Sequence, residues 1–219
     1  MKVCIDLDDV LFDNNAVMTV VNKYRLPFKR SDIKSWGMYE LPEFARKEIY
    51  ALFVNEEFMG NLKPIVKIEK LYKWFYKLNE KNSNSIKATG SLSIDDVIDG
   101  NLQLHIITAR DKRLEKATIN MIKNEDFKMY RDYAEELYLQ QCFNSIFIIG
   151  RECGKGNLLS QIKPDLFIED APNHVMEALN LNIPTVMISN ENTPYNHILR
   201  PIVKWYESIN DIDIEEFVK

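Results

Sequence analysis

Short apolar runs alternate with amphipathic segments along most of this chain. Five runs rich in Val, Ile, Leu and Phe lack strict apolar–polar alternation, which indicates strands that are covered on both faces. These runs are Lys2–Leu7, Leu102–Thr108, Ile146–Gly150, Leu166–Ile168 and Pro184–Ser189. Apolar residues at helical spacing predict helices over Ile65–Lys81, Arg113–Lys123, Arg131–Gln141, Gly156–Ile162 and Asn173–Leu181. Strands that alternate with helices predict an α/β fold with a doubly wound parallel sheet.

The segment Asn14–Leu62 interrupts this alternation. It contains no convincing buried strand and shows helical patterns at Asn15–Tyr24 and Glu43–Asn55. Because the segment directly follows the first strand, we predict that residues 14–62 form a small helical cap on one α/β core domain, residues 1–13 and 63–219. A length of 219 residues fits one domain with an insertion better than two equal domains.

Two further stretches also lie outside the alternation. Asn82–Asn101 is polar and rich in turn formers, so its pattern predicts no regular element. Ile202–Lys219 predicts an edge strand and then a short helix, which would begin and be capped at Ser208–Asn210.

Composition and charge exclude several classes of protein. The chain has 28 Lys and Arg residues and 33 Asp and Glu residues, a net charge of −5, whereas nucleic-acid polymers are bound by clustered positive charge. No apolar run approaches the ~20 residues of a membrane span, and Asp6, Asp8 and Asp9 interrupt any N-terminal secretion signal. The three cysteines form no C-x-x-C pair, which favours a reducing compartment. We therefore predict a cytoplasmic protein that binds neither a nucleic-acid polymer nor a membrane, and we leave its oligomeric state open.

Polar and charged residues follow four of the predicted strands. They are Asp6 and Asp8, then Thr108-Ala109-Arg110, then Lys155 within the glycine-rich Gly150–Gly156, and finally Glu169-Asp170. Because ligands bind at the carboxyl ends of strands in open α/β sheets, we expect these residues to converge. Each cluster alone could be an ordinary turn, helix cap or surface feature. Chance does not readily explain four such clusters at the ends of four successive predicted strands.

This set of residue types suits the binding of a phosphoryl group. Two carboxylates as close as Asp6 and Asp8 repel each other, and a hard cation such as Mg²⁺ relieves that repulsion through oxygen ligands. Lys155 and the Thr108 hydroxyl supply positive charge and a donor for phosphate oxygens, and a carboxylate can attack phosphorus.

The four clusters resemble the motifs of the haloacid-dehalogenase (HAD) superfamily of Mg²⁺-dependent phosphohydrolases. The D-x-D loop matches Asp6-Leu7-Asp8, the strand that ends in Thr matches Ile106-Ile107-Thr108, the lysine matches Lys155 and the acidic pair matches Glu169-Asp170. The match spans residues 6–170. This resemblance implies a Rossmann-like core with a cap inserted after the first strand.

The resemblance also implies a role for each residue. Asp6 would be the nucleophile that forms an aspartyl-phosphate, and Asp8 the general acid and then the general base. Mg²⁺ would be held by the Asp6 side chain, the Asp8 backbone carbonyl and Asp170, with Glu169 acting through a water. Thr108, the Ala109 N–H and Lys155 would hold the phosphoryl group.

A finer resemblance concerns the 5′(3′)-deoxyribonucleotidase family, which removes phosphate from nucleoside monophosphates. It is carried by Asp6–Asp13, Leu62–Ile65, Ile106–Arg110 and Phe167–Asn173. Animal-type members place a base-stacking aromatic soon after the D-x-D loop, where this chain has Asn14. The substrate implied is a small phosphorylated metabolite, most plausibly a deoxynucleoside or nucleoside monophosphate, with a sugar phosphate as the alternative.

The residues themselves allow more than one role at several positions. Arg110 could contact a substrate phosphate or carboxylate, or form a salt bridge to a neighbouring helix. The aromatics Trp36, Tyr39 and Phe44 could stack on a base or pack between cap and core. The whole chain could also be a non-enzymatic phospho-acceptor like a response-regulator receiver, or a relative that has become a binding protein. A receiver carries its phosphorylated Asp on a later strand, whereas the third strand here ends in Ile149-Gly150-Arg151.

Overall fold

The computed structural model describes residues 1–71, 73–74, 102–123, 128–131, 135–138 and 143–217. A six-stranded sheet with parallel pairing throughout lies at its centre. Its strands, numbered in chain order, are β1 (Lys2–Ile5), β4 (Gln103–Thr108), β7 (Ser145–Ile148), β8 (Leu166–Glu169), β9 (Thr185–Ile188) and β10 (Lys204–Tyr206). Their spatial order is β10-β9-β8-β1-β4-β7, which confirms the predicted α/β, Rossmann-like doubly wound sheet.

The sheet changes direction of winding at β1. The chain passes from β1 to β4 and β7 on one side and then returns to β8 on the other. Ile5 pairs with both Ile106 and Ile168, and the Asp6 N–H donates to the Ile168 carbonyl at 2.9 Å. The carboxyl ends of β1 and β8 therefore lie side by side at the switch point, where doubly wound folds bind their ligands.

Both faces of the sheet are covered, as the continuous apolar runs predict. One face packs Val3 and Ile5 into the main core, which also contains Met121 and Ile122 of helix α4 (Glu115–Ile122). The other face packs Cys4 and Phe167 against helices α5 (Gly156–Ile162) and α6 (Pro172–Asn180). Alternating residues of β1 thus enter two different cores, because side chains of a strand point to opposite faces.

Residues 14–62 form a helical unit between the two strands of a small antiparallel pair. The strands β2 (Phe12–Asp13) and β3 (Lys63–Pro64) pair on either side of it. The unit contains α1 (Ala16–Lys23), α2 (Glu43–Leu52), α3 (Glu56–Gly60) and a 3₁₀ turn at Arg30–Asp32. Most of its apolar residues form a cluster of their own that includes Val20, Ile33 and Ile49. These features support the division into core and cap, which stays a prediction.

The predicted helix over Arg131–Gln141 is wrong. The structure has β5 (Lys128–Arg131) and β6 (Glu135–Tyr138), which form an antiparallel pair in which Met129 pairs with Leu137. Tyr130 and Tyr138 are residue types that favour strands, so strand pairing overrides the helical spacing.

The remaining predictions have mixed outcomes. The helix predicted over Ile65–Lys81 is helical at 68–71 and 73–74, and the turn-rich Asn82–Asn101 lies outside the described residues. The predicted edge strand is β10, and the predicted C-terminal helix is replaced by two 3₁₀ turns, Ile209–Asp211 and Ile214–Phe217. Ser208 caps the first turn by accepting a hydrogen bond from the Asn210 N–H. No helix in the described part of the chain is long and apolar enough to span a bilayer.

Candidate active site

Three buried carboxylates meet at the switch point of the sheet. Asp6 follows β1, Glu169 ends β8 and Asp170 follows it. Each offers a carboxylate oxygen that lies within 4.8 Å of the other two. Because β1 and β8 pair in register up to Ile5 and Ile168, the residues that follow them are neighbours. The structure therefore brings together the acids from the first and last sequence motifs.

Lys155 connects two of these carboxylates. Its Nζ donates to Asp6 and, at 2.6 Å, to Oε2 of Glu169, and only 1% of its side chain is exposed. Although burial lowers the pKa of Lys155, Asp6 and Glu169 together raise it above its ordinary value. Lys155 is therefore a buried ammonium that contacts Asp6 of the first motif and Glu169 of the last.

The excess of negative charge in this cluster favours the binding of a divalent cation. Burial and the nearby Glu169 raise the pKa of Asp6, and the same two causes raise that of Asp170, because one ammonium does not balance three carboxylates. A set of oxygen donors only is the preferred environment of Mg²⁺. Oε1 of Glu169 accepts the N–H groups of Asp170 and Ala171, and its Oε2 accepts Lys155. Both Glu169 oxygens are thus engaged, which leaves Asp6 and Asp170 as the direct ligands that fit best.

Asp8 lies beside this cluster in a bidentate pair with Arg110. Nε of Arg110 donates to Oδ2 of Asp8 at 2.9 Å, and its second terminal nitrogen donates to Oδ1 at 2.6 Å. The other terminal nitrogen bonds the Met59 carbonyl and the Thr118 hydroxyl, both at 3.2 Å. Of the two interpretations left open for Arg110, the described residues show a salt bridge, but its partner is Asp8 rather than a carboxylate of a neighbouring helix. Substrate contact by Arg110 stays a prediction.

Thr108 and Ala109 line the site at the end of β4. Thr108 ends β4 with 1% of its surface exposed, and its hydroxyl oxygen accepts the Arg110 N–H at 3.3 Å. Thr108 and Ala109 line the same cavity as Asp6 and Lys155, so the second motif joins the other three.

Glu177 is a site residue that sequence reasoning missed. Its Oε2 accepts the Gly156 N–H at 2.9 Å and lies 3.4 Å from Nδ1 of His174. A Cβ at Gly154 would lie 2.5 Å from Oε1 of Glu177. The absence of a side chain at Gly154 therefore lets a carboxylate from α6 hold the loop that presents Lys155. The clustering of glycines around Lys155 was a signal in the sequence, but nothing there identified the partner.

Tyr195 is a second residue that no sequence motif indicates. Its hydroxyl donates to Oδ2 of Asp170 at 2.5 Å, and burial together with the Asp170 charge raises the pKa of Tyr195 well above its ordinary value. The phenol is therefore protonated and acts as the donor. It lies in the 3₁₀ segment Pro194–Leu199 after β9, far along the chain from the acidic pair that it contacts.

A cavity of about 560 Å³ joins these residues to the helical unit. Five aromatic residues line it: Trp36, Tyr39, Tyr50, Phe53 and Tyr195. The side chains of Trp36 and Tyr39 are 52% and 76% exposed. Arg151 also lines the cavity and lies over the Phe53 ring at 4.9 Å. Phe44 packs against Tyr24 within the helical unit instead, at 5.2 Å between ring centroids.

Comparison with solved structures gives the fold class. A haloacid-dehalogenase-like hydrolase from Streptococcus pneumoniae matches with a TM-score of 0.55 at 14% identity, over 93% of this chain and 91% of that chain. A hydrolase from Pseudomonas syringae matches with a TM-score of 0.52 at 13% identity, over 100% of both chains. A candidate phosphoglycolate phosphatase from Lactobacillus plantarum matches with a TM-score of 0.53 at 15% identity, over 99% and 98%.

These likenesses define the fold, and at this identity they define the fold alone. The chain has the haloacid-dehalogenase-like fold, and its four motif clusters lie at the carboxyl ends of the strands of the sheet. No family model matches the sequence, and no curated protein matches it.

Proposed function

We propose that this protein is a HAD-superfamily phosphomonoesterase that hydrolyses a small phosphorylated metabolite through an aspartyl-phosphate on Asp6. One observation carries the proposal: the buried Lys155 ammonium bonds both Asp6 and Glu169, and Asp170 lies within the same 4.8 Å cluster. A structural ion pair would not need a third buried carboxylate at a sheet edge that opens into a cavity. We place the reaction in the cytoplasm, with neither a nucleic-acid polymer nor a membrane as partner.

Mg²⁺ is the cofactor that fits the acidic cluster. The Asp6 and Asp170 carboxylates would hold it, with the Asp8 backbone carbonyl as a further ligand and Glu169 acting through a water. When bound, the ion supplies positive charge that neutralises the phosphate oxygens and offsets the repulsion between phosphate and nucleophile.

The first half of the reaction transfers the phosphoryl group to the protein. A carboxylate oxygen of Asp6 attacks phosphorus, the bond from phosphorus to the ester oxygen breaks, and Asp8 gives a proton to that leaving oxygen. Thr108, the Ala109 N–H and Lys155 stabilise the charge on the phosphoryl oxygens.

The second half regenerates Asp6. Asp8 takes a proton from a water molecule, the water oxygen attacks phosphorus, and the acyl-phosphate bond breaks to release inorganic phosphate. In the described geometry Arg110 engages both carboxylate oxygens of Asp8. This pairing fixes the orientation of the Asp8 carboxylate at the site.

For the substrate we propose a nucleoside monophosphate, in agreement with the resemblance to the 5′(3′)-deoxyribonucleotidase family. The support is the aromatic lining of the cavity, because Trp36 and Tyr39 line it and keep much of their surface exposed, so that a base could stack on them. A sugar phosphate is the alternative, since Arg30, Ser35 and Arg151 also line the cavity and could bond hydroxyl groups.

A phosphate-release screen tests the proposal. The wild-type protein is incubated with a panel of nucleoside and sugar monophosphates, with either Mg²⁺ or EDTA. We expect Mg²⁺-dependent release that Asp6→Asn abolishes and that Asp211→Asn, a change to an exposed carboxylate outside the cavity, leaves intact. The absence of release from every substrate would contradict the phosphatase proposal and favour a receiver-like or binding role. Release from sugar phosphates alone would contradict only the nucleotidase proposal.

A further inference from the structure

Tyr195 lies between a proposed metal ligand and the cap. On one side its hydroxyl donates to Oδ2 of Asp170 at 2.5 Å. On the other side its ring meets the Trp36 ring edge to face, with centroids 4.9 Å apart and an interplanar angle of 71°. Tyr195, which lies outside the four motifs, thus contacts both the acidic cluster, through Asp170, and the cap, through Trp36.

The segment that carries Tyr195 is fixed to the sheet. Nδ2 of the next residue, Asn196, donates to the backbone carbonyls of Asp170 at 2.7 Å and Ile188 at 2.8 Å, and Asn196 is fully buried. Both the backbone and the side chain of Asp170 are therefore held by the same 3₁₀ segment. A carboxylate held through one oxygen presents its other oxygen in a defined direction.

The cap reaches this segment at a second point. Nε of Arg30 donates to the Asn192 carbonyl at 2.6 Å, and the guanidinium lies 6.0 Å from the centre of the Tyr195 ring. A terminal nitrogen of Arg30 also bonds Asp9 at 3.3 Å. Because Arg30 and Trp36 both belong to the cap, a shift of the cap changes the surroundings of the Tyr195 ring.

We infer that Tyr195 is a positioning residue that orients the Asp170 carboxylate toward a divalent cation and makes the affinity for that cation depend on the cap through Trp36. This inference rests on the proposed function. The residue acts through Asp170 and does not touch the reacting atoms. Groups that hydrogen-bond a metal ligand fix its orientation, and their loss weakens metal binding. By linkage, a cap contact that favours cation binding is itself favoured by the bound cation.

The inference predicts a specific pattern of cation affinities. Tyr195→Phe keeps the ring on Trp36 and removes the donor, so we expect its Mg²⁺ dissociation constant to rise about 10- to 100-fold. Trp36→Leu keeps the donor and removes the aromatic contact, so we expect a rise of about two- to tenfold. Because the effect of Trp36 passes through the Tyr195 hydroxyl, adding Trp36→Leu to Tyr195→Phe should cause no further loss.

Isothermal titration calorimetry of the full chain with Mg²⁺ measures these affinities without a substrate. Tyr206→Phe is the matched control, because it removes a phenol that donates to a carboxylate, Glu216, at 2.9 Å outside the cavity. A phosphate-release assay adds a second readout: raising the Mg²⁺ concentration should restore the turnover of Tyr195→Phe, which a purely structural defect would not allow. If Tyr195→Phe did not fold, Trp36→Leu would carry the test, since Trp36 is half exposed.

The outcomes distinguish a failure of the inference from a failure of the proposed function. Wild-type affinity in both Tyr195→Phe and Trp36→Leu, together with Mg²⁺-dependent phosphate release, would overturn the inference and leave the phosphatase proposal intact. Additive losses in the double variant would overturn the coupling through Tyr195. A wild-type chain that neither bound Mg²⁺ nor released phosphate would overturn both.

Discussion

Arg110 holds Asp8 through two hydrogen bonds, of 2.6 and 2.9 Å, across 102 positions of the sequence. The remaining terminal nitrogen of Arg110 joins the Met59 carbonyl of α3 to the Thr118 hydroxyl of α4. Arg110 is 4% exposed, and its contacts join helix α3 of the helical unit at 14–62 to helix α4. One guanidinium therefore both positions the proposed acid–base residue and supports the packing around it.

Replacing Arg110 tests this double role. Arg110→Met leaves Asp8 without its cation and two buried acceptors without a donor, so we expect a loss of about 3 kcal/mol in the free energy of unfolding. Urea denaturation followed by circular dichroism measures it. The matched control is Arg113→Gln, because Arg113 pairs with Asp111 at an exposed site and its loss should not change stability. Equal stability of the two variants would contradict the role assigned to Arg110.

The stability of the protein without Mg²⁺ should depend on pH. In the metal-free protein burial and Glu169 raise the pKa of Asp6 to about 8, from an ordinary value of 3.8. The folded state then binds more protons than the unfolded state between these values, so the stability of the metal-free protein falls as pH rises from about 4 to 8.

Mg²⁺ should oppose this loss. At a concentration a hundredfold above the dissociation constant, a bound ion stabilises the folded state by about 2.7 kcal/mol. We expect the increase in melting temperature caused by Mg²⁺ to be larger at pH 8 than at pH 5, because protons compete for Asp6 at the lower pH. Differential scanning fluorimetry in Mg²⁺ and in EDTA measures it. The same increase at both pH values would count against a cation on Asp6.

Replacing Gly154 tests how the loop that carries Lys155 is held in place. A methyl group at Gly154 would displace Glu177, which holds the Gly156 N–H beside Lys155. We expect Gly154→Ala to lower kcat by about tenfold or more, the scale of one lost charge-assisted hydrogen bond. Gly60→Ala is the control, since a Cβ there meets its nearest neighbour, Ala117, at an ordinary 3.5 Å. Full activity of Gly154→Ala would show that Glu177 does not hold the loop.

Replacing Tyr39 tests whether the substrate is a nucleoside monophosphate or a sugar phosphate. Its ring lines the cavity and is 76% exposed, so Tyr39→Leu removes a stacking surface without disturbing the core. If a nucleobase stacks there, we expect KM for a nucleoside monophosphate to rise about tenfold, since stacking on an aromatic contributes about 1–3 kcal/mol per base. Steady-state kinetics with a sugar phosphate as the comparison substrate measures the effect. An equal change in KM for both substrates would argue against stacking.

Much of this architecture could be predicted because it depends on local patterns. Continuous apolar runs such as Leu166–Ile168 indicate strands covered on both faces, and parallel pairing then places Asp6 beside the acidic pair Glu169-Asp170. The antiparallel pairing of β5 with β6 could not be predicted in the same way. Its register depends on pairing between two short strands rather than on the spacing of apolar residues in either one.

The residues that the sequence did not reveal lie outside the four motif clusters. Glu177 meets Gly156 across 21 positions and Tyr195 meets Asp170 across 25, and neither lies in a motif. Their positions follow from how α6 and the Pro194–Leu199 segment pack on the sheet. Arg110 was predicted only in part. Its place after β4 could be predicted from the sequence, but its partner, Asp8, could not.

The central claim is that Asp6 carries the phosphoryl group during turnover. Mass spectrometry of acid-quenched reactions tests it most directly, with the Asp8→Asn variant used to slow the hydrolysis step by about 10²- to 10⁴-fold. We expect one phosphoryl group on the peptide that contains Asp6, seen with Mg²⁺ and absent from Asp6→Asn. A phosphoryl group on another residue, or phosphate release by Asp6→Asn at the wild-type rate, would contradict it.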